Sequence, residues 1–227
     1  MEDLITKIDN KEYRIKVVRK KVKRLNMRID TSNNIVISCP KKYNSKEILG
    51  FIQKNSEWII KAIDKNKEAV KMVSRWHDDN LILLFGKEFK IRKTDNIDDH
   101  LKYDQENIYY YYEEKPSCKE IIHFLSNMII KRTGYLCELL NIKPLILTKN
   151  YQARWGCCHP KKNTIILNEK LICLDWELID YVIYHEIAHL KVANHSKYYY
   201  LELNKICPDN KNLRKRMKQF GFISKLY

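Results

Sequence analysis

The 227-residue chain holds no apolar run long enough to cross a membrane; nothing in it approaches the roughly eighteen residues a spanning helix needs. Its first twenty residues, MEDLITKIDNKEYRIKVVRK, are charged throughout and contain no apolar segment fit for a signal peptide. From these two absences we expect no membrane partner and a cytoplasmic location. None of the seven cysteines forms a Cys-x-x-Cys pair, which argues against a zinc ribbon or a thioredoxin-type site. Their number is odd and they are scattered, as free thiols in a reducing compartment would be. Cys157 and Cys158 are neighbours, where a mutual disulfide would be strained, so small packing residues in a turn are expected there. No internal repeat or low-complexity segment stands out. Hydrophobic content of 44% and charged content of 31% are those of an ordinary globular protein.

Positive charge is plentiful. The formal net charge is +15 and the pI is near 9.4, which suits an anionic partner such as nucleic acid. A Lys- and Asn-rich composition spread over solvated faces is the simpler account. Basic residues cluster at 19–24 and 211–218, and neither cluster carries a recognised nucleic-acid-reading motif.

The most informative stretch is His185-Glu186-Ile187-Ala188-His189. Residues four apart on an α-helix share a face, so His185 and His189 can bind one metal ion while the Glu186 carboxylate handles the proton of an attacking water. Leu178, Ile179, Val182, Ile183 and Ile187 recur at helical spacing and predict a buried amphipathic helix. Asp175 is placed to cap it, with Glu177 in the first turn. His195 follows beyond a polar break, Asn194-His195-Ser196, that lets the chain turn back; Glu202 is the alternative third ligand. Three protein ligands with an open fourth position suit a catalytic Zn²⁺, whereas a fourth protein ligand, for which His159 is the candidate, would make a structural staple.

Elsewhere, period-two alternation predicts strands at 13–17 and 25–29, with another at 35–37 stopped by Pro40. A helix is expected over 45–70, opened by an Asn44–Glu47 capping box. Residues 81–85 and 87–91 read as a hairpin around Gly86, 93–107 as a loop, and 108–112 as a strand. A Ser117–Glu120 capping box opens a helix to about residue 140. Strands at 145–148 and 164–167 flank a Trp-Gly turn. The expected fold class is α+β, with a strand-rich N-terminal domain carrying one long helix over 1–113 and a helix-rich domain with a small sheet over 114–227.

Several segments in order resemble the YgjP-like zinc metallopeptidases, related to the SprT and WLM groups of the gluzincins. They are Arg154-Trp155-Gly156-Cys157-Cys158, the stretch 165–171 with its strand ending in Leu-Asn and a leucine after it, the motif with its lead-in from Asp180, Asn194-His195-Ser196-Lys197, and Pro208-Asp209. The likeness covers about 145–221, with Gly86-Lys87 a looser echo upstream. Cys157, His159, Tyr199 and Asn210 depart from the family's usual residues. The resemblance implies a zincin-like domain and a Zn²⁺-dependent peptidase with His185, His189 and His195 as ligands, Glu186 as general base, and peptides or proteins as substrates. Arg154, Trp155, Asn168 and Tyr199 are candidates for substrate contact, although Trp155 also suits the core. In related zincins the strand equivalent to 164–168 is a sheet edge that pairs with substrate; an ordinary buried strand is the alternative. A competing function is a nucleic-acid-associated protein whose metal site acts on DNA-bound proteins or is only structural.

Overall fold

The computed structural model describes residues 2–30, 33–95, 102–221 and 223. By its internal contacts the chain divides into two units, Met1–Glu68 and Ala69–Tyr227.

In the first unit, β1 (Glu2–Ile8), β2 (Lys11–Arg19), β3 (Asn26–Ile29) and β4 (Ile35–Cys39) form one sheet in the order β1-β2-β4-β3. The hairpin from β1 to β2 turns on Asp9 and Asn10, both at positive φ, a conformation these short polar side chains tolerate. One sheet face supplies Ile15, Val17, Ile35 and Ile37 to a core closed by Ile48 and Ile52 of α1 (Ser45–Lys54) and by Ile59 and Ile63 of α2 (Ser56–Asp79). The Asn44–Glu47 capping box is present in both directions. The single helix expected over 45–70 is instead two. At Asn55 the side chain hydrogen-bonds back to the Phe51 carbonyl at 2.7 Å and interrupts the helix, while the apolar periodicity carries on past it. The boundary between the units falls inside α2.

The second unit opens with β5 (Leu81–Leu84), β6 (Lys87–Thr94), β7 (Lys102–Tyr103) and β8 (Asn107–Tyr111), in the order β5-β6-β8-β7. Part of the expected loop over 93–107 lies outside the described residues, and β7 occupies another part. This sheet was expected to belong to an N-terminal domain ending at 113. Its residues Ile82, Leu84, Phe89, Ile91 and Ile108 are buried in the same core as the C-terminal helices. α3 (Cys118–Leu125) starts on the Ser117–Glu120 capping box, and Ser126 separates it from α4 (Asn127–Leu139), so here too one expected helix is two.

A three-stranded sheet of β9 (Leu145–Lys149), β10 (Gly156–His159) and β11 (Thr164–Asn168) follows in the order β10-β11-β9. β11 pairs with β10 on one side and β9 on the other, so the strand considered as a sheet edge is the central one. The edge on the motif-helix side is β10, where a turn was expected. α5 (Trp176–Lys191), α6 (Lys197–Ile206) and α7 (Asn210–Met217) complete the fold. The whole is mixed α+β, with strands concentrated in the N-terminal half. Among the described residues, no helix is long and apolar enough to cross a membrane.

Candidate active site

α5 carries the His-Glu-x-x-His motif and is fixed along its length. Asp175 caps it through a 3.0 Å hydrogen bond from Leu178 N. The Asp175 carboxylate also accepts from Arg216 of α7 at 2.9 Å, and Arg216 bonds Glu177 as well. Leu178, Ile179, Val182, Ile183 and Ile187 are each no more than 5% exposed, and each contributes about 1.5–3 kcal/mol by burial. The β5–β6 hairpin docks ahead of the helix. Phe85 N and Gly86 N donate to the carbonyls of Ile172 and Cys173, and the Phe85 ring stacks on Trp176 with centroids 4.8 Å apart. Gly86 has φ +75, and a β-carbon there would stand 3.1 Å from Asp175 Cβ, so glycine meets both the turn and the close approach.

After α5 the chain bends through residues 192–196 into α6, and Lys191 of α5 pairs with Glu202 of α6 at 3.0 Å. This return brings His195 over the motif. Its Nε2 lies 3.2 Å from His185 Nε2 and 3.2 Å from His189 Nε2. All three candidate ligand atoms fall within 4.8 Å of one another. Tetrahedral ligands about 2.0–2.1 Å from zinc sit about 3.3–3.4 Å apart, so this donor set fits a metal ion. The far nitrogens of two rings are already committed. His189 Nδ1 donates to the Val192 carbonyl at 3.0 Å, and His185 Nδ1 lies 2.6 Å from Tyr199 Oη, which in turn donates to the His185 carbonyl at 3.2 Å. Such contacts fix the tautomer that leaves Nε2 free to ligate. Burial, then the neighbouring imidazoles, push His185 down to about 3, and burial lowers His189 too, so both rings stay in the neutral, ligating form.

Glu186 lies against β10. Its side chain packs so closely on Gly156 that a β-carbon there would stand 2.7 Å from Oε1 and 2.8 Å from Cγ. Glu186 is 5% exposed, and burial raises its carboxyl to about 7 against the opposing pull of Arg154. Arg154 is exposed, with its guanidinium 5.5 Å from the Tyr151 ring centroid. A carboxyl group poised near neutrality beside a cluster of candidate metal ligands suits proton transfer in either direction.

The remaining candidates fall in different places. Asn168 is wholly buried and its amide is used up inside the protein: Nδ2 donates to the carbonyls of Tyr151 and Arg154 at 2.9 and 2.8 Å, and Oδ1 accepts from Lys170 N. It therefore clamps the loop that presents Arg154 and has no polar group to offer a substrate. Tyr199 is also wholly buried, with its hydroxyl spent on His185, so it orients a ligand candidate from behind. Trp155 is partly buried against the main core. Glu202 is held by Lys191 and Lys205, and His159 Nε2 sits 3.3 Å from Cys157 Sγ; neither joins the histidine cluster. In the basic run 211–218, Arg214 donates to Tyr200 Oη at 2.9 Å and Arg216 binds Asp175 and Glu177. Sequence reasoning overlooked Gly156 and the Val192 carbonyl. The Trp-Gly pair was a signal for the first; a main-chain acceptor leaves no signal in residue identity.

No curated protein matches this chain. Two solved structures resemble parts of it. The metallopeptidase zymogen of Pyrococcus abyssi abylysin is 22% identical, over 40% of this chain and 92% of that one, at a TM-score of 0.36. The metallopeptidase zymogen of Methanocaldococcus jannaschii jannalysin is 23% identical, over 43% and 94%, at 0.31. The family model described as YgjP-like, metallopeptidase domain, matches residues 23–220. That span takes in the motif, the returning histidine and both edges of the small sheet, and the chain belongs to this family of metal-dependent peptidases.

Proposed function

We propose that His185, His189 and His195 hold a Zn²⁺ ion, and that Glu186 acts as general base and then general acid in peptide-bond hydrolysis. Neutral imidazoles suit zinc, which when bound supplies a Lewis acid that acidifies water and polarises a carbonyl. Glu186 takes the proton of the attacking water and returns it to the leaving amine, a two-way role favoured by a carboxyl raised to about 7. Arg154, exposed and electrostatically coupled to Glu186, is suited to holding a substrate carbonyl or carboxylate. An extended peptide pairs with the edge strand β10, since β11 is already paired on both sides. The observation that carries the reading is the convergence of three imidazole nitrogens beside a buried carboxyl group.

The competing staple in a nucleic-acid-associated module needs a fourth protein ligand. The residue that the sequence offers for that place, His159, lies against Cys157 and stands outside the histidine cluster. The test is a peptide-library digest by the wild type and by Glu186→Gln, each with its metal content measured. Glu186→Gln is expected to keep its metal and lose cleavage; undiminished cleavage refutes the assignment.

A further inference from the structure

A cavity of about 650 Å³ lies among α3, the start of α4, the end of β9 and the residue after β11, and none of its lining residues belongs to the histidine site. Its walls include Glu169, Asn150, Thr148, Ser126, His123 and Phe124. The inner end is rich in acceptors. Glu169 is 6% exposed, with Oε1 2.8 Å from His123 Nδ1. Asn150 Oδ1 is buried and has no hydrogen-bond partner among the described residues. The hydroxyls of Ser126 and Thr148 stand 3.3 Å apart, and Ser126 spends its proton on the His123 carbonyl at 2.6 Å. The outer wall is aromatic: Phe124 is 39% exposed and meets Tyr110 edge to face at 5.5 Å.

A buried acceptor without a donor costs about 1–3 kcal/mol, which a ligand bringing N–H groups would recover. The Glu169 carboxylate in the same lining selects a charged donor, and an aromatic wall receives the apolar stem behind it. We propose that this cavity binds an alkylguanidinium or alkylammonium group, carried by a basic side chain of a peptide or by a free small amine. Two lysines lie nearby. Lys119 is exposed at the rim, where solvent screens its charge, and Lys170 is wholly buried and lines no part of the cavity.

The test titrates the ¹⁵N-labelled full chain with n-butylguanidinium and with its neutral isostere N-butylurea, following the amides of 123–127 and 148–150. Saturable shifts are expected with the cation, with affinity about tenfold weaker for the urea. Glu169→Gln should weaken the cation about tenfold as well. Phe124→Ala, at the exposed wall, should also weaken it and keeps the test valid if the buried variant fails to fold. Absence of saturation, equal affinity for the two probes, or wild-type affinity in every folded variant overturns the proposal. Cleavage of paired peptides carrying arginine or citrulline distinguishes the sources. Competition by the cation against the arginine peptide alone assigns a substrate side chain, and competition against neither assigns a free amine. Competition against both places the probe in the histidine cleft and also overturns the proposal. Binding is read without turnover, so its failure leaves the peptidase reading intact, and an inactive enzyme leaves binding measurable.

Discussion

Gly156 and Glu186 touch so closely that no side chain fits between them: a β-carbon on the glycine would stand 2.7 Å from the carboxylate oxygen and 2.9 Å from its carbon. Glu186 is nearly fully buried and has little room to retreat. Gly156→Ala is therefore expected to displace the carboxylate. A displacement of this kind lowers kcat by about 10²-fold. Metal content should be unchanged, because the three atoms nearest the added carbon all belong to Glu186 and none to a histidine; wild-type kcat in the alanine variant would remove the steric argument.

Metal binding should stabilise the fold measurably. With free zinc at about a thousand times Kd, linkage gives about 4 kcal/mol, visible as a rise in Tm that a chelator reverses. His195→Ala removes the imidazole that joins the other two and should abolish most of that rise. An equal rise in this variant would show that His195 is no ligand.

Tyr199→Phe separates a residue that orients a ligand from one that meets substrate. The variant keeps the ring in the core and deletes the oxygen 2.6 Å from His185 Nδ1. Loss of such a supporting contact costs about 10–100-fold in metal affinity. KM for peptide at saturating metal should stay near the wild-type value. A raised KM with unchanged metal affinity would return Tyr199 to the substrate side.

Lys170 sets a pH dependence of stability. Burial pushes its ammonium down to about 8, whereas the unfolded chain keeps it near the usual value of about 10.4. Between these values the unfolded state binds more protons, so stability rises with pH. The penalty is present in full below about 8, is relieved by about 10.4, and is on the order of 3 kcal/mol. Denaturant melts of the wild type and Lys170→Met at pH 7 and pH 9.5 should show the wild type gaining on the variant as pH rises. A constant difference would mean that Lys170 keeps its proton throughout.

Local pattern carried much of the site. Two histidines one helical turn apart, an apolar stripe and a capping aspartate specify α5 from adjacent residues, and the structure forms each of these contacts. Pairing order was not legible. Nothing within 164–168 says that β10 will lie on one side and β9 on the other, and Gly156-Cys157-Cys158-His159 is too short and too glycine-bearing to alternate as a strand should. Residue type was also a poor guide to exposure. Asn168 and Tyr199 are polar enough to suit a cleft, yet both are buried with every polar atom turned inward. The breaks at Asn55 and Ser126 escaped notice because hydrophobic spacing continues across them. The apparent boundary near 113 followed a change in strand content, while burial joins the strands before it to the helices after it.

The docking of Phe85 and Gly86 onto the approach to α5 makes the motif helix dependent on a segment some ninety positions earlier. A fragment beginning at residue 114 would retain His185, His189, His195 and Glu186, yet it would expose one face of Trp176 and leave two main-chain oxygens to water. Excising the apparent catalytic half would thus remove the foundation on which its first turn is laid.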